Sequence, residues 1–123
     1  MDFRELLAYK KAFDLSMEIF RLSKSFPTEE KYSLTDQIRR SSRSVCSNIA
    51  EAYRKRRYVA HFISKLTDSD GENSETNVWL EFAYQCEYIS NETFIDLSNK
   101  TIEIGKLINF MINNPDKFGC SQK

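Results

Sequence analysis

Apolar residues recur at alternating steps of four and three along most of the chain, which is the spacing of one face of an α-helix. The first series ends at Phe26, because Pro27 follows and a residue before proline avoids the helical region. We expect one helical turn over residues 28–30 before a second helix begins. The apolar positions of the first helix are Ala8, Ala12, Leu15, Ile19, Leu22 and Phe26.

A second helix is predicted to open at Ser33, because Ser33 and Asp36 have the spacing of a capping pair. The basic residues at positions 54–57 then interrupt the apolar pattern, which predicts a turn near residues 55–60. A third helix is predicted over residues 59–86. The alternative is a break at Asp70-Gly71, because this dipeptide is a turn signal. The inward face of the second helix contains small and polar residues, namely Leu34, Ile38, Ser41, Val45, Asn48 and Ala52.

A fourth helix is predicted to begin after a cap at Ser90 or Asn91 and to stop before Pro115. Helices of roughly 20 to 27 residues are about 30 to 40 Å long, so four of them match in length in an antiparallel bundle with short connections. The sequence therefore predicts an all-α, up-down-up-down four-helix bundle. Residues 1–123 form one domain in this prediction, and residues 114–123 are expected to be a flexible C-terminal tail.

Composition excludes several other classes of protein. The chain has 123 residues but only three glycines and two prolines, too few turn residues for an all-β fold. The three cysteines are odd in number and lack CxxC spacing, so we expect Cys46 and Cys86 to be small buried residues in a reducing cytosol. Because no apolar run approaches the roughly 20 residues of a membrane span, we expect a cytoplasmic protein without membrane contact.

Three segments carry a resemblance to a known family: Phe26-Pro27 with Glu29-Glu30, Gln37-Ile38-Arg39-Arg40, and Ser47-Asn48-Ile49-Ala50-Glu51. The chain resembles the bacterial 23S rRNA intervening sequence proteins, which are related to the accessory variability proteins of diversity-generating retroelements. The resemblance implies a four-helix bundle that assembles into a ring-like homopentamer, with no established enzymatic activity. Retroelement relatives bind nucleic acid and a reverse transcriptase, so the resemblance also implies RNA, DNA or a nucleic-acid enzyme as a candidate partner.

Charge is segregated along the chain, although its 18 basic and 18 acidic residues cancel. At about 100° per residue, four arginines share a stripe of the second helix opposite its apolar face. A protein that contacts a phosphate backbone arranges basic residues in this way, so the stripe predicts a weak, sequence-tolerant nucleic-acid contact. The alternatives are a solvated face and ion pairs with carboxylates of the third helix. The four arginines are Arg39, Arg43, Arg54 and Arg57.

Two helices carry more apolar surface than one bundle core needs. Aromatic residues widen the apolar arcs of the first and third helices beyond the roughly 100° that faces a core. Contiguous apolar surface of this kind is typical of an interaction site. We therefore expect a homo-oligomer whose interface contains Tyr9, Phe13, Phe20, Trp79 and Phe82.

Carboxylates lie in line with the apolar face of the third helix. Glu75 is expected to accept hydrogen bonds from Arg39 or Arg40 and from Asn48, forming a structural polar layer within or between subunits. The alternative is a metal-binding or enzymatic bundle that uses the carboxylates of the third helix, which are Asp68, Glu72 and Glu75.

Neither metal binding nor catalysis has a recognisable motif in the sequence. Carboxylate-bridged bundles use Glu-x-x-His pairs, and the single histidine, His61, has no such spacing. The sequence has no glycine-rich loop and no spacing typical of a nucleophile and its base. We therefore expect no catalytic residues, no metal and no cofactor. The prediction is a non-enzymatic, self-assembling bundle that acts as a scaffold or nucleoprotein accessory.

Overall fold

Four α-helices form most of residues 2–120, the part of the chain that the computed structural model describes. No strand occurs within these residues. The predicted all-α architecture, the helical turn before the second helix and the turn between the second and third helices are confirmed. The helices are α1 (Leu7–Ser23), α2 (Leu34–Arg54), α3 (Val59–Gln85) and α4 (Asn91–Asn113), with short 3-10 turns at Phe3–Glu5, Thr28–Glu30 and Pro115–Phe118.

The four helices occupy the corners of a square. α2 packs against α1 and α3, and α4 packs against α3 and α1, while the diagonal pairs have marginal contact at most. Connections of four residues between α2 and α3 and five between α3 and α4 make consecutive helices antiparallel. This arrangement is the predicted up-down-up-down bundle. Among the described helices, none combines the length and the apolar character that a membrane span requires.

Apolar side chains from all four helices fill the interior at the predicted steps of four and three. Removing each of them from water stabilises the fold by about 1.5–3 kcal/mol. The largest that are almost completely buried are Ile19, Ile38, Ile49, Phe62, Leu66, Leu80, Ile104, Ile108 and Met111.

The beginning of α2 is capped differently from the prediction. Ser33 makes no capping hydrogen bond, and its hydroxyl donates instead to Oε1 of Glu30 at 2.6 Å. The N–H of Leu34 donates to the same oxygen at 3.3 Å. The predicted Ser33 and Asp36 capping pair is therefore wrong, because a carboxylate in the preceding turn reaches the first N–H group of the helix.

The connection between α1 and α2 is tied to the connection between α3 and α4. α1 ends at Ser23, three residues before the predicted end, and Phe26 is buried with its ring centre 5.6 Å from that of Tyr88. The hydroxyl of Tyr88 donates to Oε2 of Glu30 at 2.8 Å, and this hydrogen bond raises the pKa of Tyr88 to about 12. The two connections thus close the same end of the bundle.

The chain beyond α4 packs on the bundle as far as Cys120. α4 begins at the Ser90 cap and stops before Pro115, as predicted. The ring centre of Phe118 then lies 6.5 Å from that of Phe62, and Cys120 is buried. The expected flexible tail from residue 114 is therefore wrong up to residue 120, because Phe118 packs beside α3. Residues 121–123 lie outside the described residues.

α3 continues through Gly71, so the alternative of a break at Asp70-Gly71 is wrong. Gly71 is exposed, and an added Cβ would meet no atom within 4 Å. Glycine inside a helix costs about 0.5–1 kcal/mol relative to alanine, because an unfolded glycine has more conformational freedom to lose. Gly71 therefore lowers the free energy of unfolding slightly, and a residue with a Cβ could recover this loss.

Replacing Gly71 with alanine is expected to raise the free energy of unfolding by about 0.5–1 kcal/mol. Urea denaturation followed by circular dichroism measures the change. Gly119→Ala is the control, and it is expected to lower the free energy of unfolding. Gly119 has a φ of 88°, and a Cβ there would lie 3.0 Å from Nη1 of Arg56. Destabilisation by Gly71→Ala would contradict a continuous α3.

Candidate functional site

Arginines of α2 cover an aromatic ring of α1. Nε of Arg39 donates to the hydroxyl of Ser23 at 2.7 Å, and the guanidinium carbon of Arg39 lies 4.9 Å from the centre of the Phe20 ring. The guanidinium carbon of Arg43 lies 5.7 Å from the same ring centre. Arg39 is half-buried and Arg43 is exposed. Two arginines predicted to contact nucleic acid therefore lie against a residue predicted to contact another subunit.

The aromatic stripe continues along α1 toward its N-terminus. Tyr9 and Phe13 stack with ring centres 6.0 Å apart, and Phe3 packs edge-on against Tyr9 at 5.1 Å. Phe13 is 46% exposed, and it lines an open cleft of about 410 Å³ together with Tyr9 and Arg4. We call this surface the α1–α2 face, and it consists of Arg4, Tyr9, Phe13, Phe20, Arg39 and Arg43.

The other two predicted nucleic-acid residues lie at one end of the bundle. α2 ends at Arg54, so Arg57 belongs to the following turn, and the prediction that Arg57 continues the stripe of α2 is wrong. Both residues are exposed, and neither forms an ion pair with any residue from 2 to 120. Arg54 lines a polar cleft of about 750 Å³ together with Arg4 and Arg56. We call Arg54 and Arg57 the basic end.

The other two basic residues of this segment are held by the chain itself. The guanidinium carbon of Arg56 lies 3.6 Å from the centre of the Tyr53 ring. Its Nε donates to the carbonyl of Tyr53 at 2.7 Å, and its Nη1 donates to the carbonyl of Phe118 at 3.3 Å. Nζ of Lys55 pairs with Oε2 of Glu51 at 3.2 Å. These contacts leave Arg54 and Arg57 as the cations that are open to a ligand here.

A second aromatic surface lies on the outside of α3. Trp79 and Phe82 have ring centres 5.9 Å apart, and Nε1 of Trp79 donates to Oε1 of Glu75 at 3.2 Å. Phe82 is 54% exposed. Burial and the nearby Glu75 carboxylate raise the pKa of Glu72, and Arg40 partly opposes this effect. We call this surface the α3 outer face, and it consists of Glu72, Glu75, Trp79 and Phe82.

The predicted polar layer does not form within the subunit. No hydrogen bond or ion pair in the described part of the chain joins any two of Arg39, Arg40, Asn48 and Glu75. Arg40 is exposed, while Arg39 and Glu75 have the other partners given above. As a layer inside one subunit the prediction is wrong, because long charged side chains lose their hydration when they are buried. A contact among these residues between subunits stays a prediction.

Short hydroxyl and amide side chains form the buried polar layer instead. Oγ1 of Thr76 donates to Oγ of Ser41 at 2.8 Å, and Oγ of Ser69 donates to a backbone carbonyl of α2 at 2.8 Å. Nδ2 of Asn73 donates to a backbone carbonyl of α4 at 2.8 Å. The sequence predicted that Ser41 faces inward from α2. It did not predict Thr76 as the hydrogen-bond partner of Ser41, because the apolar pattern of one helix contains no information about contacts with another.

Replacing Thr76 with valine is expected to lower the free energy of unfolding by about 1–3 kcal/mol, because the Ser41 hydroxyl loses its 2.8 Å contact with Thr76 and keeps only the carbonyl of Ile38 at 3.4 Å. Thr67→Val is the matched control. Thr67 also lies in α3, but it is exposed and its hydroxyl donates only to the carbonyl of Ile63 at 2.9 Å. We expect a change within about 0.5 kcal/mol for this control. Equal effects of the two changes in chemical denaturation would show that the contact with Ser41 is unimportant.

The cysteine and histidine side chains differ widely in exposure. Cys46 is buried, and burial raises the pKa of its thiol to about 11, so the thiol stays protonated at neutral pH. Cys86 is exposed at the end of α3, so the prediction that it is buried is wrong. His61 is exposed, with its ring centre 5.4 Å from that of Tyr58. From residue 2 to residue 120, no three His, Cys, Asp or Glu side chains are grouped to hold a metal ion.

A family model connects this chain to known proteins. The model described as 23S rRNA-intervening sequence protein matches residues 4–110. The chain belongs to this family. The matched segment contains the α1–α2 face, the basic end and the α3 outer face.

A solved structure supports the same family relationship. It is the crystal structure of a protein with unknown function from the S23 ribosomal protein family of Bacteroides thetaiotaomicron VPI-5482. The two chains are 33% identical, the match covers 87% of this chain and 96% of the other, and the TM-score is 0.79. No curated protein is detectably similar to this chain. The relationship therefore establishes the fold and the family without assigning an activity.

Proposed function

We propose that this protein is a non-enzymatic scaffold that self-associates through its two aromatic surfaces. The supporting observation is that Phe13 on the α1–α2 face is 46% exposed and Phe82 on the α3 outer face is 54% exposed. A partner that covers the exposed half of such a side chain contributes about 1 kcal/mol, roughly half of the value for a fully exposed ring. The expected assembly is the homopentamer that the family resemblance implies.

Neither exposed ring completes the core of its own subunit. Phe13 and Phe82 each lie beside an aromatic neighbour on the same helix, Tyr9 and Trp79 respectively. The interior is filled by other residues, which are almost completely buried without them. A role between subunits therefore explains the aromatic character of these two positions better than a role within the bundle.

Light scattering coupled to gel filtration is expected to give a mass several times the 14.5 kDa of one chain. Phe82→Ser is expected to reduce this mass, because a serine removes most of the apolar surface that drives association. Ile102→Ser is the matched control, since Ile102 is 50% exposed on α4 and belongs to neither aromatic surface. A wild-type monomer at micromolar concentration would contradict the proposed scaffold.

A second candidate function is contact with the phosphate backbone of RNA or DNA. It is favoured by the basic end, because Arg54 and Arg57 are exposed and unpaired within the described residues. Binding of this kind is sequence-tolerant and weakens steeply with salt. Repetition of the basic end around an oligomer multiplies a weak site, so self-association is part of this function. An enzyme that acts on nucleic acid is then a candidate partner of the assembly.

Replacing both Arg54 and Arg57 with glutamate is expected to abolish retention of RNA and DNA at about 50 mM salt, a condition that favours electrostatic binding. Helicity and mass are expected to stay unchanged, because the two side chains are exposed. Gel-shift assays with single-stranded RNA and DNA measure the loss.

Arg21→Glu with Lys31→Glu is the matched control for this experiment. Both residues are exposed, Arg21 in the last turn of α1 and Lys31 in the connection between α1 and α2, at the opposite end of the bundle. The control changes the net charge by the same amount, so retained binding would locate the contact at the basic end. Equal loss of binding in both proteins, or no wild-type shift, would contradict a phosphate contact there.

A further inference from the structure

The two aromatic surfaces carry opposite charge. The α1–α2 face contains Arg39 and Arg43, while its third arginine, Arg4, already pairs with Asp2 at 3.0 Å. The α3 outer face contains Glu72 and Glu75, and the adjacent Asp68 already pairs with Lys65 at 3.9 Å. Among residues 2–120, no ion pair neutralises Arg43, Glu72 or Glu75. A surface docked on its own copy brings like charges together, which costs free energy, whereas docking one surface on the other brings opposite charges together.

The spacing of these charges is similar on the two surfaces. At a rise of about 1.5 Å per residue, Arg39 and Arg43 lie about 6 Å apart along α2, and Glu72 and Glu75 lie about 4.5 Å apart along α3. Two guanidinium and carboxylate pairs can therefore form at the same time. A further cation beside Glu72 would be favourable, because burial and the Glu75 carboxylate raise the pKa of Glu72 and Arg40 of the same subunit opposes this only in part.

The two surfaces belong to diagonal corners of the bundle. α1 and α3 both neighbour α2 and make marginal contact at most with each other. One subunit can therefore present both surfaces at once to two different neighbours. A contact between unlike surfaces of identical chains repeats from one subunit to the next, and it forms a ring wherever the rotation closes.

We infer that the α1–α2 face of one subunit docks on the α3 outer face of a second copy of this chain. Arg39 and Arg43 face Glu72 and Glu75 across the contact, and Phe13 and Phe82 lie within the surface that it buries. This inference rests on the proposed self-association and specifies which surfaces meet. The contact is heterologous, so each subunit uses its α1–α2 face toward one neighbour and its α3 outer face toward the other.

Two variants test this contact, and each of them disrupts one of the two surfaces. Phe13→Asp with Arg43→Glu alters the α1–α2 face, and Glu75→Arg with Phe82→Arg alters the α3 outer face. Each variant alone is expected to have the 14.5 kDa mass of a single chain. An equimolar mixture at high protein concentration is expected to give a particle of twice that mass, because one intact face of each kind remains. Sedimentation velocity measures all three samples.

The possible outcomes separate this inference from the scaffold proposal. A monomeric wild type overturns both, whereas an oligomeric wild type with a mixture that stays monomeric overturns the inference alone. A variant that keeps the wild-type mass by itself also overturns it. Asn99→Asp with Lys106→Glu is the control on the exposed side of α4, and it is expected to retain the wild-type mass.

Milder substitutions test the same contact if a charge-reversed variant fails to fold. Arg43→Gln and Glu75→Gln keep the size of the side chains and remove one charge each. Each is expected to weaken association about tenfold and to reduce its dependence on salt, because one charged pair is lost. Circular dichroism confirms that the helices are intact. Unchanged association in both proteins overturns the inference.

Discussion

The hydrogen-bonded contact between α2 and α3 fixes the arrangement of the rest of the molecule. α2 and α3 form the most extensive helix pair of the bundle, and Thr76 with Ser41 and Ser69 with a carbonyl of α2 join them at 2.8 Å. A buried hydroxyl without a partner costs about 1–3 kcal/mol, so a shift of one helix along the other is unfavourable. Because this contact sets the register of α3, it also determines that Glu75 and Phe82 point outward.

The helices themselves were predictable from the sequence because their apolar spacing is a local property. The turn between α2 and α3 follows from a run of basic residues that cannot continue an apolar face. Gly71 did not break α3, since the helix on both sides is fixed by packing and the cost of one glycine is small. The cap of α2 was not predictable in the same way, because Glu30 reaches the helix from a 3-10 turn whose geometry the pattern does not define.

Contacts between helices were less predictable than the helices. The charged pairs expected around Glu75 satisfy electrostatic complementarity, but burying long charged side chains costs more free energy than burying short hydroxyls. The hydroxyls of serine and threonine can donate hydrogen bonds to nearby backbone carbonyls, so these residues can be buried inside a bundle at low cost in free energy. From the sequence, the arginines of α2 and the aromatic residues of α1 belong to two different predicted sites, because periodicity describes one helix at a time. Folding brings them together, with Arg39 and Arg43 over Phe20.

The proposals for self-association and phosphate contact depend on different arginines and are therefore compatible. Arg39 and Arg43 lie on the side of the bundle, where a neighbouring subunit would cover them. Arg54 and Arg57 lie at its end and are not members of the α1–α2 face, although Arg54 shares a cleft with Arg4 of that face. In a closed ring, rotational symmetry brings the basic ends of all subunits to equivalent positions. Several weak cationic sites are then presented together to one polyanion, and their combined binding exceeds that of any single site.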